Sequence, residues 1–243
     1  GTKITHNALQ GNAIGLDETQ KRIYEKNNRL TSESLGKGFD FIVVHDPQPL
    51  LLRHYAGDLG AKWIWRCHID TSTPNQEVAD YLLPYIQHYD TALFTLNDYV
   101  FKGLDIPIKV IAPAIDPLST KNMALSPEDA DYVVSQFGVE PDRPLLLQIS
   151  RFDPWKDPLG VIDAYRIVKK EFAPVRLALV GSMATDDPEG WSFFTSTVEH
   201  AGDDSDVLIL SNLNNVGNLE VNAFQSRADV IIQKSTREGF GLT

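Results

Sequence analysis

Residues 144–159 read PLLLQISRFDPWKDPL, and this stretch decides the fold of the chain. Its apolar part, residues 145–149, predicts a short buried strand. Residues 150–156 predict a loop, after which Asp157 and Pro158 are typical of the N-cap and the first residue of a helix. In α/β proteins, a strand that runs through a loop into a helix N-terminus often holds an anionic ligand. The stretch therefore predicts both an α/β fold and an anion site.

Two cations lie in this predicted loop, Arg151 and Lys156, five residues apart. An arginine binds phosphate oxygens as a planar fork and a lysine acts as a point charge, so the pair suits a diphosphate. The alternative is a solvated loop with ordinary surface charges, which is the better interpretation of a bare R-x-x-x-x-K spacing. The strand before the loop and the capped helix after it make a diphosphate site about as well supported as a loop of surface charges, and both interpretations stay open.

Strands and helices alternate through the second half of the chain. Strands are predicted at 145–149, 175–180, 207–210 and 230–233, and helices at 158–172, 188–201 and 218–226. Such alternation predicts a parallel sheet with right-handed crossovers. The first of these helices is expected to bury Leu159, Ile162, Tyr165, Val168 and Phe172, and the second, capped by Asp187, to bury Trp191, Phe194 and Val198.

The first half has the same character. Strands are predicted at 41–44, 62–66, 91–96 and 108–111, and helices at 17–30, 49–55 and 75–89, whereas residues 6–12 show no clear periodicity. Prolines and polar residues at 112–125 indicate a linker, and Ser126 and Pro127 then open a helix that Gly138 closes. The chain is therefore predicted to form two α/β units, with one cleft between them.

Polar side chains follow the predicted strands at the end where ligands bind in parallel sheets. They are His45, Asp46, His68, Asp70 and Glu238. His/Asp pairs suggest a metal site, but no ligand spacing typical of metal centres supports one. Histidines satisfied by backbone carbonyls are a second interpretation. The position at strand ends favours a third, in which these groups face a polyhydroxyl ligand.

Glycines follow two of the predicted strands. Gly239 and Gly241 lie in the sequence Glu-Gly-Phe-Gly-Leu of residues 238–242, where they allow backbone N–H groups to approach a ligand closely, while the Glu238 carboxylate can accept two sugar hydroxyl protons. A helix-capping glutamate beside a flexible turn is the alternative. Gly181 follows another strand, where it could line a nucleotide base.

Composition excludes some classes of partner. The chain has 243 residues with 22 basic and 33 acidic side chains, a net charge of −11, which argues against a nucleic-acid polymer or an anionic membrane as partner. The single cysteine, Cys67, cannot form an internal disulfide and fits a reducing, cytoplasmic location. The sequence begins without Met and stops where a helix is expected, so it is interpreted as truncated at both ends.

Taken together, the motifs resemble those of the retaining family 4 glycosyltransferases. The matching segments, in the family's order, are residues 45–47, His68, residues 113–117, residues 149–151 with Lys156, residues 180–181 and residues 238–242. More narrowly, HNALQGN, HDPQPL, RCHIDTS and SRFDPWKDPLGVIDAY are similar to segments of the trehalose glycosyltransferring synthases, which make trehalose from a nucleotide-diphosphate glucose and glucose. The resemblance implies a GT-B fold of two Rossmann-like parallel-sheet domains with an interdomain cleft. Residues 1–117 would form the acceptor-side domain and residues 118–243 the nucleotide-sugar-binding domain.

The resemblance also implies roles for single residues. Arg151 and Lys156 would hold the donor diphosphate and stabilise the departing nucleotide, and Glu238 would bind donor glucose hydroxyls; these three are the expected catalytic residues. His68 would contact the donor sugar near its C6 hydroxyl, and Asp46 would bind the acceptor glucose. The other expected substrate-binding residues are His45, Asp70, Gly181, Gly239, Phe240, Gly241 and Leu242.

The expected reaction uses a nucleotide-sugar donor and a glucose acceptor, with no cofactor, no metal, no nucleic acid and no membrane, and a homodimer is a further hypothesis. The second Glu of the family's E-x(7)-E motif and its N-terminal glycine-rich loop are absent from this sequence. Two alternatives remain: another GT-B transferase that acts on a different acceptor (sucrose, glycogen or lipid-linked sugar synthesis), and a catalytically silent nucleotide-sugar-binding module.

Overall fold

The computed structural model describes residues 2–185 and 187–242. The chain divides into two compact units. The first unit comprises the chain up to Pro113 together with Glu238–Phe240, and the second comprises Ala114–Arg237 and the residues from Gly241 onward. The break at Pro113 lies within the proline-containing segment that the sequence indicates as a linker.

The first unit is built on a parallel sheet whose strands follow in chain order. The strands are β1 (Phe41–His45), β2 (Lys62–Arg66), β3 (Thr91–Phe94) and β4 (Ile108–Val110), and the helices are α1 (Thr2–Leu9), α2 (Glu18–Glu33), α3 (Leu52–Ala56) and α4 (Gln76–Ile86). His45 pairs with Arg66 in the β1–β2 register, so the residues that follow these two strands emerge side by side.

The second unit contains another parallel sheet, with strand order β7-β6-β5-β8. Its strands are β5 (Leu145–Ile149), β6 (Arg176–Gly181), β7 (Val207–Ser211) and β8 (Val230–Ile231), and its helices are α5 (Pro127–Ser135), α6 (Pro158–Glu171), α7 (Pro188–Ala201) and α8 (Asn218–Arg227). The central position of β5 explains why its sequence is apolar except for Gln148, since both faces of a parallel strand are covered.

Two apolar clusters cover the two faces of the second sheet. Leu145 and Leu147 contribute to the cluster that includes residues of α5 and α8, whereas Leu146 contributes to the cluster that includes residues of α6. This division follows from the alternation of side chains along a strand. The strand end at Ile149 is thereby fixed from both sides, and with it the start of the loop at 150–156.

The core of the first unit is a single cluster that includes Trp63 and Trp65, both fully buried. Helix α2 also holds the segment that follows β1. The Tyr24 hydroxyl donates to the Pro47 carbonyl, and Asn28 Nδ2 donates to the Gln48 carbonyl at 3.1 Å. The polar helix predicted at 17–30 therefore supports the chain beside Asp46.

No helix among the described residues is long and apolar enough to cross a membrane.

Some predicted features of the helices are wrong. Residues 2–9 form α1, although no periodicity indicated it, and the helix expected at 49–55 begins only at Leu52. Val168 and Phe172 are exposed rather than buried in α6, as are Trp191 and Val198 in α7. Asp187 stands at the N-cap position of α7 but its side chain makes no capping hydrogen bond. No helix begins among the described residues that follow Glu238, and the strand predicted at 230–233 ends at Ile231.

Candidate active site

Three polar residues meet where β1 and β2 end. The Asp46 Oδ1 atom accepts the backbone N–H of His68 at 2.8 Å, and His45 Nδ1 lies 2.8 Å from His68 Nε2. Asp46 adopts a positive φ of 62°, a conformation that asparagine and aspartate tolerate better than most residues. The parallel register of β1 and β2 and this turn together bring two exposed imidazoles and one half-buried carboxylate into one group.

Asp70 and Cys67 differ from this group because both are buried. Asp70 Oδ1 accepts the backbone N–H of Ser72 at 3.0 Å and its hydroxyl at 2.6 Å, so this carboxylate is engaged within its own loop. Burial raises the pKa of the Cys67 thiol to about 12, which keeps it protonated and a poor nucleophile.

The segment Glu238–Phe240 belongs to the first unit. The Tyr99 hydroxyl donates to the Glu238 carbonyl at 2.7 Å. A Cβ atom at Gly239 would lie 2.3 Å from the His68 carbonyl oxygen, so only glycine fits there without displacing backbone. The predicted donor-sugar residues His68 and Glu238 are thus brought into one neighbourhood by a backbone approach that the glycine permits.

In the second unit, Arg151 and Lys156 are linked through Asp153. The carboxylate of Asp153 lies 3.1 Å from the Arg151 guanidinium, and its Oδ1 accepts the Lys156 backbone N–H at 3.2 Å as the N-cap of a short 3₁₀ turn, Pro154–Lys156. The Lys156 carbonyl accepts a hydrogen bond from Gln148 of β5 at 2.7 Å. Burial raises the pKa of Asp153, while both cations oppose that shift. The loop therefore has a fixed backbone, and the Arg151 side chain remains 68% exposed.

Gly181 ends β6 beside this loop. A Cβ atom there would lie 2.5 Å from the Ser150 carbonyl oxygen and 2.6 Å from the Phe152 ring, so the glycine is required by packing against the cation-bearing loop. Gly241 has a φ of +78°, and Leu242 follows it with an exposed side chain. Phe240, in the first unit, is also exposed.

Sequence reasoning missed three residues with supporting contacts: Tyr99, which bonds the Glu238 carbonyl, Asp153, which pairs with Arg151, and Lys234, whose ammonium contacts Asp157. Asp153 had a detectable signal, because Asp153-Pro154 repeats the Asp157-Pro158 pattern of an N-cap followed by proline. Tyr99 and Lys234 had none, since their partners are distant in the sequence. Within residues 2–185 and 187–242, no cluster of three or more His, Cys, Asp or Glu side chains could hold a metal ion.

His68 should titrate below its ordinary pKa of about 6.5. Partial desolvation of the ring lowers the pKa of His68 most, the Asp46 carboxylate raises it, and Arg66 and His45 lower it further. Because the folded protein disfavours the charged imidazole, His68 supports stability fully above pH 6.5 and loses that contribution as pH falls below it. We expect an NMR titration to give a pKa under 6.5, and Asp46→Asn to lower it further. A pKa at or above 6.5 would contradict this environment.

Two family models match the chain. One, described as "Trehalose synthase, N-terminal domain", matches residues 1–101, and the other, described as "Glycosyl transferases group 1", matches residues 133–243. A trehalose synthase from Rubrobacter xylanophilus is 60% identical over 247 residues, which cover 99% of this chain and 59% of that protein. One from Thermococcus litoralis is 46% identical over 245 residues, which cover 100% of this chain and 59% of that protein. The chain thus spans about 59% of the length of these relatives.

Solved structures of low sequence identity share the fold. An α,α-trehalose-phosphate synthase (UDP-forming) from Burkholderia xenovorans, in complex with glucose-6-phosphate, has a TM-score of 0.72 at 14% identity over 97% of this chain and 62% of that one. A structure described as trehalose-6-phosphate from E. coli, bound with UDP-2-fluoro glucose, has a TM-score of 0.70 at 14% identity. The match again covers 97% of this chain and 62% of that one.

The predicted α/β class with two parallel sheets is confirmed, and the neighbours identify it as the GT-B fold. The first unit corresponds to the trehalose synthase N-terminal domain and the second to the group 1 glycosyl transferase domain. The chain therefore combines a region matched by the trehalose synthase N-terminal domain with one matched by the group 1 glycosyl transferases, and it is similar to trehalose synthases along nearly its whole length.

Proposed function

We propose that the whole protein is a retaining glucosyltransferase that makes trehalose from a nucleotide-diphosphate glucose (ADP-, UDP- or GDP-glucose) and glucose, without a metal or cofactor. The observation that carries the proposal is the rigid Arg151–Asp153–Lys156 loop after β5, in a chain that is 60% identical to a trehalose synthase. The neighbours bound to UDP-2-fluoro glucose and to glucose-6-phosphate support a sugar nucleotide and a sugar as the two reactants.

Arg151 and Lys156 would act on the donor. When the bond between the anomeric carbon and the diphosphate breaks, negative charge develops on the leaving phosphate oxygen. Two cations on a preorganised backbone stabilise that charge without reorganising during the reaction. The exposed guanidinium of Arg151 and the hydrogen-bonded backbone of Lys156 fit this role.

The group of His45, Asp46 and His68 would face the sugars. The Asp46 carboxylate would accept a hydroxyl proton of the acceptor glucose through the oxygen lone pairs that the His68 N–H leaves available, while His68 would contact the donor sugar. Glu238 would hold donor hydroxyls, and the backbone amides of 239–242 would approach the sugar and phosphate. Retention is proposed through front-face attack, in which the leaving phosphate oxygen helps to remove the acceptor proton.

The direct test incubates the full-length protein with each of ADP-, UDP- and GDP-glucose plus glucose, in the presence of EDTA, and identifies the product by NMR. A nonreducing α,α-linked disaccharide is expected. Transfer to another acceptor would favour a different GT-B transferase. Tight nucleotide binding without turnover would favour a silent binding module, and donor hydrolysis alone would refute synthesis of trehalose.

Asp46→Asn should remove the proposed contact of Asp46 with the acceptor while leaving the fold of its turn intact. The amide oxygen can still accept the His68 N–H, so the turn should persist, whereas the negative charge at the acceptor is lost. We expect kcat/KM for glucose to fall by about 10²-fold, with the donor KM little changed. An equal rise in both KM values would indicate a distorted site instead.

A further inference from the structure

Lys234 follows β8 and makes an ion pair that the sequence did not suggest. Its ammonium contacts Asp157 Oδ2, while Asp157 Oδ1 accepts the backbone N–H of Gly160 at 3.0 Å. One carboxylate therefore caps α6 with one oxygen and holds a distant lysine with the other. Asp157 has a positive φ of 47°, so its backbone is strained and depends on such contacts.

The space for this pair exists because residue 160 is glycine. A Cβ atom at that position would lie 2.4 Å from Asp157 Oδ2 and 2.7 Å from Lys234 Nζ. A second link lies nearby, since the Thr236 backbone N–H donates to the Trp155 carbonyl at 2.7 Å. Residues 234–236 thus hold the turn at 155–157 from one side, and Gln148 of β5 holds it from the other.

The pair also has an electrostatic consequence. Asp157 is the residue immediately after Lys156. Without a countercharge, its carboxylate would repel an incoming diphosphate and add to the attraction that Asp153 already exerts on Lys156, because like charges repel and opposite charges attract near a protein surface. Lys234 offsets both effects because its ammonium pairs with that carboxylate.

We infer that Lys234 is a positioning residue for the donor diphosphate: it neutralises and anchors Asp157, and so limits the competition of that carboxylate with phosphate for Lys156. This inference rests on the proposed donor role of Arg151 and Lys156. Lys234 acts through Asp157 and the 155–157 turn and is assigned no contact with the substrate.

The test uses the full-length protein and the variant K234M, with calorimetric titration of the nucleoside diphosphate that the wild type binds (ADP, UDP or GDP) and steady-state kinetics. We expect weaker diphosphate binding and a higher donor KM, by about tenfold or more, with the glucose KM unchanged. The matched control is K169M, which removes another lysine of the same unit, paired with Asp204 at 2.7 Å and Asp206 at 3.0 Å near the far end of α6. K169M should leave diphosphate binding unchanged.

The double variant K234M/D157N separates charge competition from loss of folding. An asparagine at position 157 can still cap α6, but the competing carboxylate is gone, so most of the diphosphate affinity should return. Unchanged affinity in K234M, or no recovery in the double variant, would overturn the inference. Because the titration needs no turnover, a wild type that binds the diphosphate but makes no disaccharide would refute the proposed function alone.

Discussion

Lys156→Ala should lower kcat for sugar transfer by about 10²–10³-fold, a loss of roughly 3–4 kcal/mol of transition-state stabilisation. The physical reason is that its ammonium would neutralise charge that appears on the leaving diphosphate only as the donor bond breaks. The backbone of Lys156 is held by Asp153 and Gln148 through its N–H and carbonyl, so truncation of the side chain should leave the loop in place. We therefore expect a melting temperature close to that of the wild type.

The matched control is Lys170→Ala, which removes the same charge from the exposed end of α6. Steady-state kinetics of both variants, with donor and acceptor varied separately, decide the prediction. If both variants lose activity equally, the effect is one of net charge. If Lys156→Ala changes only the donor KM, the lysine contributes to binding and not to the transition state.

Arg151 pairs with the buried Asp153 as well as carrying the charge proposed for the donor. The pair is exposed on the arginine side, so its own contribution to stability is small. Asp153→Asn would separate the ion pair from the proposed binding of the donor, since it removes the pair but keeps the Arg151 guanidinium. This distinction depends on the contact between Arg151 and Asp153, which the structure identifies.

The strands were predictable because buried parallel strands read as short apolar runs. The ranges 62–66 and 145–149 agree with the structure residue for residue, and the parallel pairing followed from the alternation of strands and helices. Helix α1 was not predictable, because an eight-residue helix shows little more than two turns of periodicity. Its burial depends on packing against α4, which no local pattern records.

The buried face of α6 shows a second limit of prediction from sequence. The buried residues are Pro158, Val161, Ile162 and Tyr165, a spacing of three, four and seven residues that stays on one side of a helix. The predicted face instead advanced mostly by three residues, from Leu159 through Ile162 and Tyr165 to Val168. Because three residues turn a helix by only about 300°, such a stripe drifts around it and leaves the core.

The candidate site was predictable to the extent that its residues follow strands. His45, Asp46 and His68 do meet, because adjacent parallel strands end at the same edge. The supporting contacts were not predictable, because each joins residues far apart in the chain. They are the contacts of Tyr99 with the Glu238 carbonyl and of Lys234 with Asp157. Sequence spacing identifies the groups that carry charge, whereas tertiary structure identifies those that hold them.

Gly181 shows how closely the donor loop packs. The Ser150 carbonyl belongs to a residue whose N–H donates to the Val180 carbonyl at 3.0 Å, so this backbone is tied to β6. Phe152 is buried and packs edge-on against Phe194, with ring centroids 5.0 Å apart. Neither neighbour can therefore move away cheaply from a methyl group at position 181.

Gly181→Ala should consequently destabilise the second unit by about 1–3 kcal/mol, lower the melting temperature by roughly 4–10 °C, and raise the donor KM about tenfold as the loop shifts. Gly36→Ala is the control, because its Cβ would meet only the Phe39 ring at an ordinary 3.5 Å. Calorimetry and donor kinetics on both variants test the claim. If Gly181→Ala keeps the melting temperature and the donor KM of the wild type, the loop can move to accommodate a methyl group. A preorganised diphosphate site on that loop would then be untenable, since catalysis by fixed charges requires a loop that resists such a displacement.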